Sequence, residues 1–150
     1  MNNMVQDKEI NNIMSRFSGN YNFIRKISSQ DPCNSFSGLG KASFSQKSNN
    51  IILYQEEVTL YNSTDKAISN MKKSYFYKYA PDNQKIQKLF IDKTLFYELI
   101  FKEGYFSGQH MCNLDQYTAK YSLANEYFNI TYNIIGPEKD YEISTNYYAT

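Results

Sequence analysis

The chain has 150 residues, with 16 basic and 15 acidic side chains and a formal net charge of +1. This length suits one domain, and the near-neutral charge lacks the basic surface that nucleic acids and anionic membranes attract. We therefore expect a single domain with neither a nucleic-acid partner nor a membrane partner.

The cellular compartment is inferred from the N terminus and the cysteines. The first ten residues, MNNMVQDKEI, lack the apolar run of a signal peptide, and no stretch reaches the roughly 20 apolar residues of a membrane span. Cys33 and Cys112 are the only cysteines, and their spacing is not that of a metal-binding pair. We expect a cytoplasmic protein in which both are free thiols.

The N terminus carries apolar residues at helical spacing, namely Ile10, Ile13, Met14 and Phe17. This pattern predicts an amphipathic helix over residues 5–17, with Gly19 as its stop signal, so residues 1–18 are assigned to the helix. Tyr21 follows at once, and we expect it to be an aromatic plug that closes one end of the fold beneath the helix.

From residue 19 onward, short runs of strand-like sequence are separated by turn signals about every eight to twelve residues. The predicted strands cover residues 20–27, 36–44, 51–61, 75–79, 84–91, 94–101, 109–114, 117–124, 127–135 and 140–148. The polar segment 62–73 is predicted to be a long connection. Because no crossover helix is available, residues 19–150 are predicted to form an all-β, antiparallel up-and-down barrel of about eight to ten strands.

The second predicted strand has an unusual face. Gly38, Gly40 and Ala42 alternate on it between Phe36 and Phe44. Three small residues between two large rings predict either the close approach of something bulky or a sharp bend of the strand.

Two charged residues fall on strand faces that are otherwise apolar. Arg25 shares its face with Tyr21 and Phe23, and Glu56 lies on the more apolar side of its strand. A buried arginine needs a carboxylate partner, for which Glu56 and Asp115 are the candidates. Such a pair would be either a structural ion pair or the anchor for the polar end of a ligand, and both interpretations stay open.

His110 is the only histidine, so any chemistry that needs an imidazole must use it. Cys112 lies about 7 Å away on the same predicted strand face, which suits a pocket wall better than tetrahedral metal binding. We expect no metal and no cofactor, with haem iron on His110 as the alternative. A hydrogen-bonded histidine near the barrel mouth is the structural interpretation.

The last third of the chain contains two motifs of polar residues. Asp115 and the segment 136–140 are expected to form turns, whereas Tyr141, Thr145 and Tyr147 share one strand face. If that face points inward, the last strand contributes hydroxyl groups to a cavity.

These residues resemble a family of uncharacterised single-domain proteins that are thought to fold as lipocalin-like (calycin) β-barrels. The similar motifs are Gly19-x-Tyr21, Arg25-x-Ile27, Phe36-x-Gly38-x-Gly40-x-Ala42-x-Phe44, Leu53-Tyr54-x-Glu56, Tyr75-x-Tyr77, His110-x-Cys112-x-x-Asp115-x-Tyr117 and Gly136-Pro137-x-Lys139-Asp140-Tyr141-x-x-x-Thr145-x-Tyr147. The resemblance implies a barrel with a shared pocket and supplies no reaction. The chain departs from the pattern at Tyr21, where the family usually has Trp, at Asp92-Lys93-Thr94, and at Ala149, where an Arg is common.

The sequence predicts a non-catalytic barrel that binds one small apolar or aromatic molecule. The residues expected to bind this ligand are Arg25, Tyr54, Glu56, Tyr77, His110, Cys112, Tyr117, Tyr141 and Tyr147. The alternative is a calycin-barrel enzyme in which Tyr, Arg, Glu or His transfers a proton on a small unsaturated or phenolic acid. A third possibility is a filled barrel that acts only through its surface.

Overall fold

The computed structural model describes residues 2–31, 34–80 and 85–150. One helix, α1 (Asn2–Arg16), precedes the strands. The strands are β1 (Gly19–Ser29), β2 (Phe36–Ser48), β3 (Ile51–Tyr61), β4 (Ala67–Ala80), β5 (Lys85–Leu89), β6 (Leu95–Lys102), β7 (Tyr105–Cys112), β8 (Asp115–Leu123), β9 (Tyr127–Ile135) and β10 (Asp140–Ala149). Within the described residues, no helix is long and apolar enough to cross a membrane.

The strands form a closed, ten-stranded barrel. Each strand pairs antiparallel with the next one in the chain, and β10 returns to pair with β1, with Arg25 opposite Thr145. The connection between β6 and β7 is a two-residue turn in which Glu103 and Gly104 have φ angles of 59° and 89°. Such left-handed turns match the twist of the flanking strands. The prediction of an all-β up-and-down barrel with one N-terminal helix is confirmed.

The prediction of a long connection over residues 62–73 is wrong. Residues 62–66 form a turn in which the Asn62 side chain accepts hydrogen bonds from the Thr64 and Lys66 backbone amides. β4 already begins at Ala67 and pairs with β3 from there, whereas its pairing with β5 begins at Phe76. The first residues of β4 are exposed on both faces, so they lack the alternation of apolar and polar residues that reveals a strand.

Three sequence features lie partly or wholly outside the described residues. They are the loop at Asp31-Pro32, Cys33 and the turn at Pro81-Asp82-Asn83.

Helix α1 and the residue that follows it close one end of the barrel. Ile10, Ile13 and Phe17 are buried, and the Phe17 ring lies 4.9 Å from the Phe44 ring and 4.6 Å from the Tyr77 ring. The Tyr21 hydroxyl donates a hydrogen bond to the Arg16 carbonyl at the end of the helix. Tyr21 therefore closes the barrel beneath α1, as the sequence predicts.

The small-residue face of β2 gives space to the side chains of β1. Phe23 lies opposite Gly40, and a Cβ atom at Gly40 would collide with the Phe23 ring and lie 2.5 Å from the Glu57 carbonyl oxygen. Arg25 lies opposite Gly38 in the same register. The interpretation that a bulky group approaches this face is confirmed, and the group is Phe23.

Candidate functional site

A cavity of about 130 Å³ lies inside the barrel. Aromatic and aliphatic side chains form most of its wall: Tyr54, Tyr75, Phe96, Tyr117, Ile130, Tyr132, Ile134, Ile143 and Tyr147. The polar lining residues are Arg25, Glu56, Lys73, Lys88 and Thr145. The barrel is therefore not completely filled, and its free space is bounded by nine aromatic or aliphatic side chains and five polar or charged ones.

Arg25 and Glu56 form a bidentate ion pair in the cavity wall. The Arg25 Nη1 and Nη2 atoms donate to Glu56 Oε2 and Oε1 at 2.8 and 2.9 Å, and the side chains are 12% and 4% exposed. Arg25 Nε donates to Thr145 Oγ1 at 2.8 Å. Of the two predicted partners Glu56 is the right one, because Asp115 pairs instead with Lys139 at 2.9 Å.

Two tyrosines extend this ion pair. The Tyr54 hydroxyl donates to Glu56 Oε1 at 2.7 Å and lies 2.9 Å from the Tyr147 hydroxyl. Burial raises the pKa of Tyr54 well above its ordinary value. Burial also acts to raise the pKa of Glu56, but the hydrogen bonds and charge of Arg25 outweigh it, so this pKa is lowered. Glu56 is therefore an ionised carboxylate whose two oxygens already accept hydrogen bonds.

Lys88 on β5 brings a second basic side chain to the cavity. The residue is 5% exposed, and Nζ donates to the Tyr132 hydroxyl at 2.8 Å. Nζ also lies 4.1 Å from the centre of the Tyr75 ring. The three ion pairs among the described residues do not include Lys88. Burial lowers the pKa of Lys88 to about 7, because the attraction of Glu56 offsets only part of the lost hydration.

A chain of tyrosine hydroxyls leads from Lys88 towards the closed end of the barrel. Tyr132 lies 2.6 Å from Tyr97, Tyr97 lies 2.5 Å from Tyr121, and Tyr121 lies 2.7 Å from Tyr77, all measured between hydroxyl oxygens. Burial raises the pKa of each of these tyrosines, so they stay protonated at neutral pH. Their protons remain available for hydrogen bonding along the chain.

Five of the nine predicted ligand-binding residues line the cavity: Arg25, Tyr54, Glu56, Tyr117 and Tyr147. Tyr77 does not, since it packs beneath Phe17 at the closed end. His110 and Cys112 do not line the cavity either, and they lie at the C-terminal end of β7. The His110 ring is 5.0 Å from the Phe96 ring, and Cys112 is an exposed free thiol. Tyr141 does not line the cavity either. It lies opposite Ser29 on the same face of β10 as the lining residue Ile143, two residues away.

Sequence reasoning missed Lys88, Tyr75 and Tyr132. The signal for Lys88 was present, because period-two alternation places it on the same strand face as Ile86, which is fully buried. Arg25 carries the same signal on β1, where it shares a face with Tyr21 and Phe23. Tyr75 and Tyr132 carried no comparable signal, because their strands hold many aromatic residues.

The turn residues of the two polar motifs of the last third meet outside the cavity. Asp115, at the start of β8, contacts Gly136 in the β9–β10 turn so closely that a Cβ atom there would collide with its carboxylate. The same carboxylate pairs with Lys139. These motif residues hold two neighbouring strand connections together. Among the residues that the structure describes, no group of three or more His, Cys, Asp or Glu side chains is placed to hold a metal ion.

Comparison with family models shows which family the chain belongs to. A model described as a family of unknown function, DUF6314, matches residues 17–149. The chain belongs to this family. The match runs from Phe17 to the end of β10, so it includes every strand of the barrel. No protein with a curated description matches the chain.

Two solved structures are similar in outline. One is a de novo designed fluorescence-activating beta barrel, with 8% identity over 91% of this chain and 95% of that chain and a TM-score of 0.47. The other is a redesigned beta barrel bound to DFHBI, with 6% identity over 89% of this chain and 95% of that chain and a TM-score of 0.46. At these values neither structure bears on what this barrel binds.

Proposed function

We propose that this protein is a non-catalytic barrel that binds one small aromatic molecule in the cavity between the Arg25–Glu56 pair and Lys88. The observation that carries the proposal is a cavity lined by six aromatic rings, three isoleucines and a smaller set of polar side chains, of which Arg25, Glu56 and Lys88 are held by hydrogen bonds. Ligand sites in proteins commonly have this composition.

The size of the cavity supports a ligand with one ring. Its volume is about 130 Å³, and an engineered apolar cavity of about 150 Å³ in another protein binds benzene. The ring faces and edges around the space favour a flat, polarisable ligand.

The polar groups support a ligand that also carries a hydrogen-bond acceptor. Every buried side-chain nitrogen and oxygen among the described residues has a hydrogen-bond partner, so the site needs no ligand to satisfy its polar groups. Lys88 Nζ donates to Tyr132 and has further hydrogens to donate. An oxygen of the ligand near Nζ would accept one of them.

Binding is favoured over proton-transfer catalysis by the state of the acidic and basic groups. Glu56 has a lowered pKa and accepts hydrogen bonds from Arg25 and Tyr54, which makes it a weak general base. His110 does not line the cavity. Neither of the two bases that the enzyme alternative names, Glu56 and His110, is therefore placed in the cavity as a free base.

The proposal is tested by calorimetric titration of 4-fluorobenzyl alcohol into the wild type and two matched variants on β9. Ile134 lines the cavity and is 4% exposed, whereas its neighbour Ile135 is 59% exposed. We expect saturable binding to the wild type and to Ile135→Phe, and loss of binding in Ile134→Phe, whose larger ring occupies the space. Equal binding by both variants, or no binding to the wild type at millimolar probe, would overturn the proposal.

A further inference from the structure

We propose that Lys88 is a nucleophilic amine that holds a carbonyl ligand in the cavity as an imine, so that the natural ligand is a small aromatic aldehyde or ketone. The inference rests on the proposed function, because the ligand must first enter the cavity. It goes further by naming the reacting atom and the functional group of the ligand.

The surroundings of the Lys88 amine are those of a reactive lysine. Nζ faces the cavity and is surrounded by ring systems, and its hydrogen-bond acceptor is the Tyr132 hydroxyl. The ring centres within 5.9 Å of Nζ belong to Tyr54, Tyr75, Tyr77, Phe96, Tyr97 and Tyr132. A lysine desolvated in this way loses much of the hydration that keeps an ordinary ammonium charged.

The charged groups that face Lys88 come from three strands. Glu56 on β3 favours the ammonium form, while Arg25 on β1 and Lys73 on β4 oppose it. Burial is the largest influence, and the pKa of Lys88 falls to about 7. A large share of the amine is therefore neutral near neutral pH, when an exposed lysine is almost fully protonated.

The reaction needs no oxidant and no further reactant. The neutral Nζ attacks the carbonyl carbon, the carbonyl oxygen takes up a proton, and a carbinolamine forms. The carbon–oxygen bond then breaks and the oxygen leaves as water, carrying the two protons that Nζ gives up in the two steps, while Nζ forms a double bond to the former carbonyl carbon. The Tyr132 hydroxyl, 2.8 Å from Nζ and linked to Tyr97, is placed to relay the protons.

The test is reductive trapping of the folded, full-length protein. The protein is incubated at pH 7 with 4-fluorobenzaldehyde and sodium cyanoborohydride, which reduces an imine to a stable amine. Intact-mass spectrometry then counts the adducts, and peptide mapping locates them. Lys120 is the matched control, because its Nζ also lies 4.1 Å from a tyrosine ring, that of Tyr105, but its side chain is exposed.

We expect Lys88 to be labelled at least about tenfold faster than Lys120 and the other lysines. Lys88→Met should abolish this fast phase, Lys120→Met should keep it, and 4-fluorobenzyl alcohol should slow it. Labelling spread evenly over surface lysines, or an unlabelled Lys88 in a protein that still binds the alcohol, would overturn the imine and leave the binding function standing. If neither the alcohol nor the aldehyde enters the cavity, both proposals fail. The peptide map of the wild type decides the question even if a variant does not fold.

Discussion

Arg25 and Glu56 show how much a buried charge depends on its partner. Their bidentate pair is nearly inaccessible to water, and Glu56 receives a further hydrogen bond from Tyr54. We expect Glu56→Gln to lower the free energy of unfolding by about 3 kcal/mol, because it leaves a buried guanidinium without a counter-charge. Urea denaturation of the wild type and the variant measures this difference.

The control for that experiment is Glu98→Gln. Glu98 pairs with Lys85 at 3.2 Å, and both side chains are substantially exposed. Removing one charge from such a surface pair costs less than about 1 kcal/mol. Similar losses for the two variants would show that the Arg25–Glu56 pair contributes no more than a surface ion pair.

Lys88 gives the stability of the protein a specific dependence on pH. Its pKa is about 7 in the folded protein, against about 10.4 in an unfolded chain. Between these two pH values the unfolded state binds one more proton than the folded state, so the free energy of unfolding rises with pH. Below about pH 7 both states hold the proton, and Lys88 no longer makes the free energy of unfolding depend on pH. The pKa values of Tyr54 and the other buried tyrosines are raised, so an opposite effect begins only above about pH 10.

We therefore expect the wild type to gain about 1.4 kcal/mol per pH unit relative to Lys88→Met between pH 7 and pH 9. Urea denaturation at several pH values, with Lys120→Met as a second reference, measures the slope. Parallel curves for the wild type and Lys88→Met would mean that Lys88 keeps an ordinary pKa.

At the scale of the elements, the strand connections β7–β8 and β9–β10 depend on one close contact. A side chain at Gly136 would collide with the Asp115 carboxylate. We expect Gly136→Ala to destabilise the fold by about 1–3 kcal/mol, as overpacking commonly does. The same change in an Asp115→Ala background should cost less, and a double-mutant cycle measures the coupling. If the two substitutions changed the free energy of unfolding additively, the Asp115 carboxylate would not be what excludes a side chain at position 136.

Phe17, directly after helix α1, closes one end of the barrel together with Ile10 and Ile13 of the helix. Its ring is buried between Phe44 and Tyr77. We expect Phe17→Ala to cost about 3–5 kcal/mol, because it leaves a cavity among large rings. Thermal and urea unfolding, compared with Tyr127→Ala at an exposed ring, test this. A loss as small as that of Tyr127→Ala would mean that the Phe17 ring is not part of the core.

The elements differ in how well the sequence predicts them. Strands such as β1 and β3, with one buried and one exposed face, were recognisable because burial alternates along them. The first part of β4 was not, since it extends beyond the pairing with β5 and both of its faces are exposed. Local alternation of polarity reports burial, and a strand without a buried face leaves no such signal.

At the scale of the whole molecule, closure of the barrel decides which inward residues share a cavity. The sequence indicated that Arg25, Tyr54 and Glu56 lie on inward faces, and the barrel brings them together. It could not indicate how far along the barrel axis each residue lies. The period-two pattern therefore predicts Cys112 at the site, whereas the residue is exposed at the end of β7. Depth depends on the register of all ten strands at once, which period-two patterns do not contain.

The central claim is that the interior of the barrel is the binding site, and methyl NMR tests it most directly. Three isoleucines line the cavity, Ile130, Ile134 and Ile143, whereas Ile24 and Ile135 are exposed on the outer surface. On titration with 4-fluorobenzyl alcohol, we expect saturable shifts of the three interior δ-methyl signals and none at the two exposed residues. Shifts confined to the exposed isoleucines would contradict the claim and assign binding to the surface.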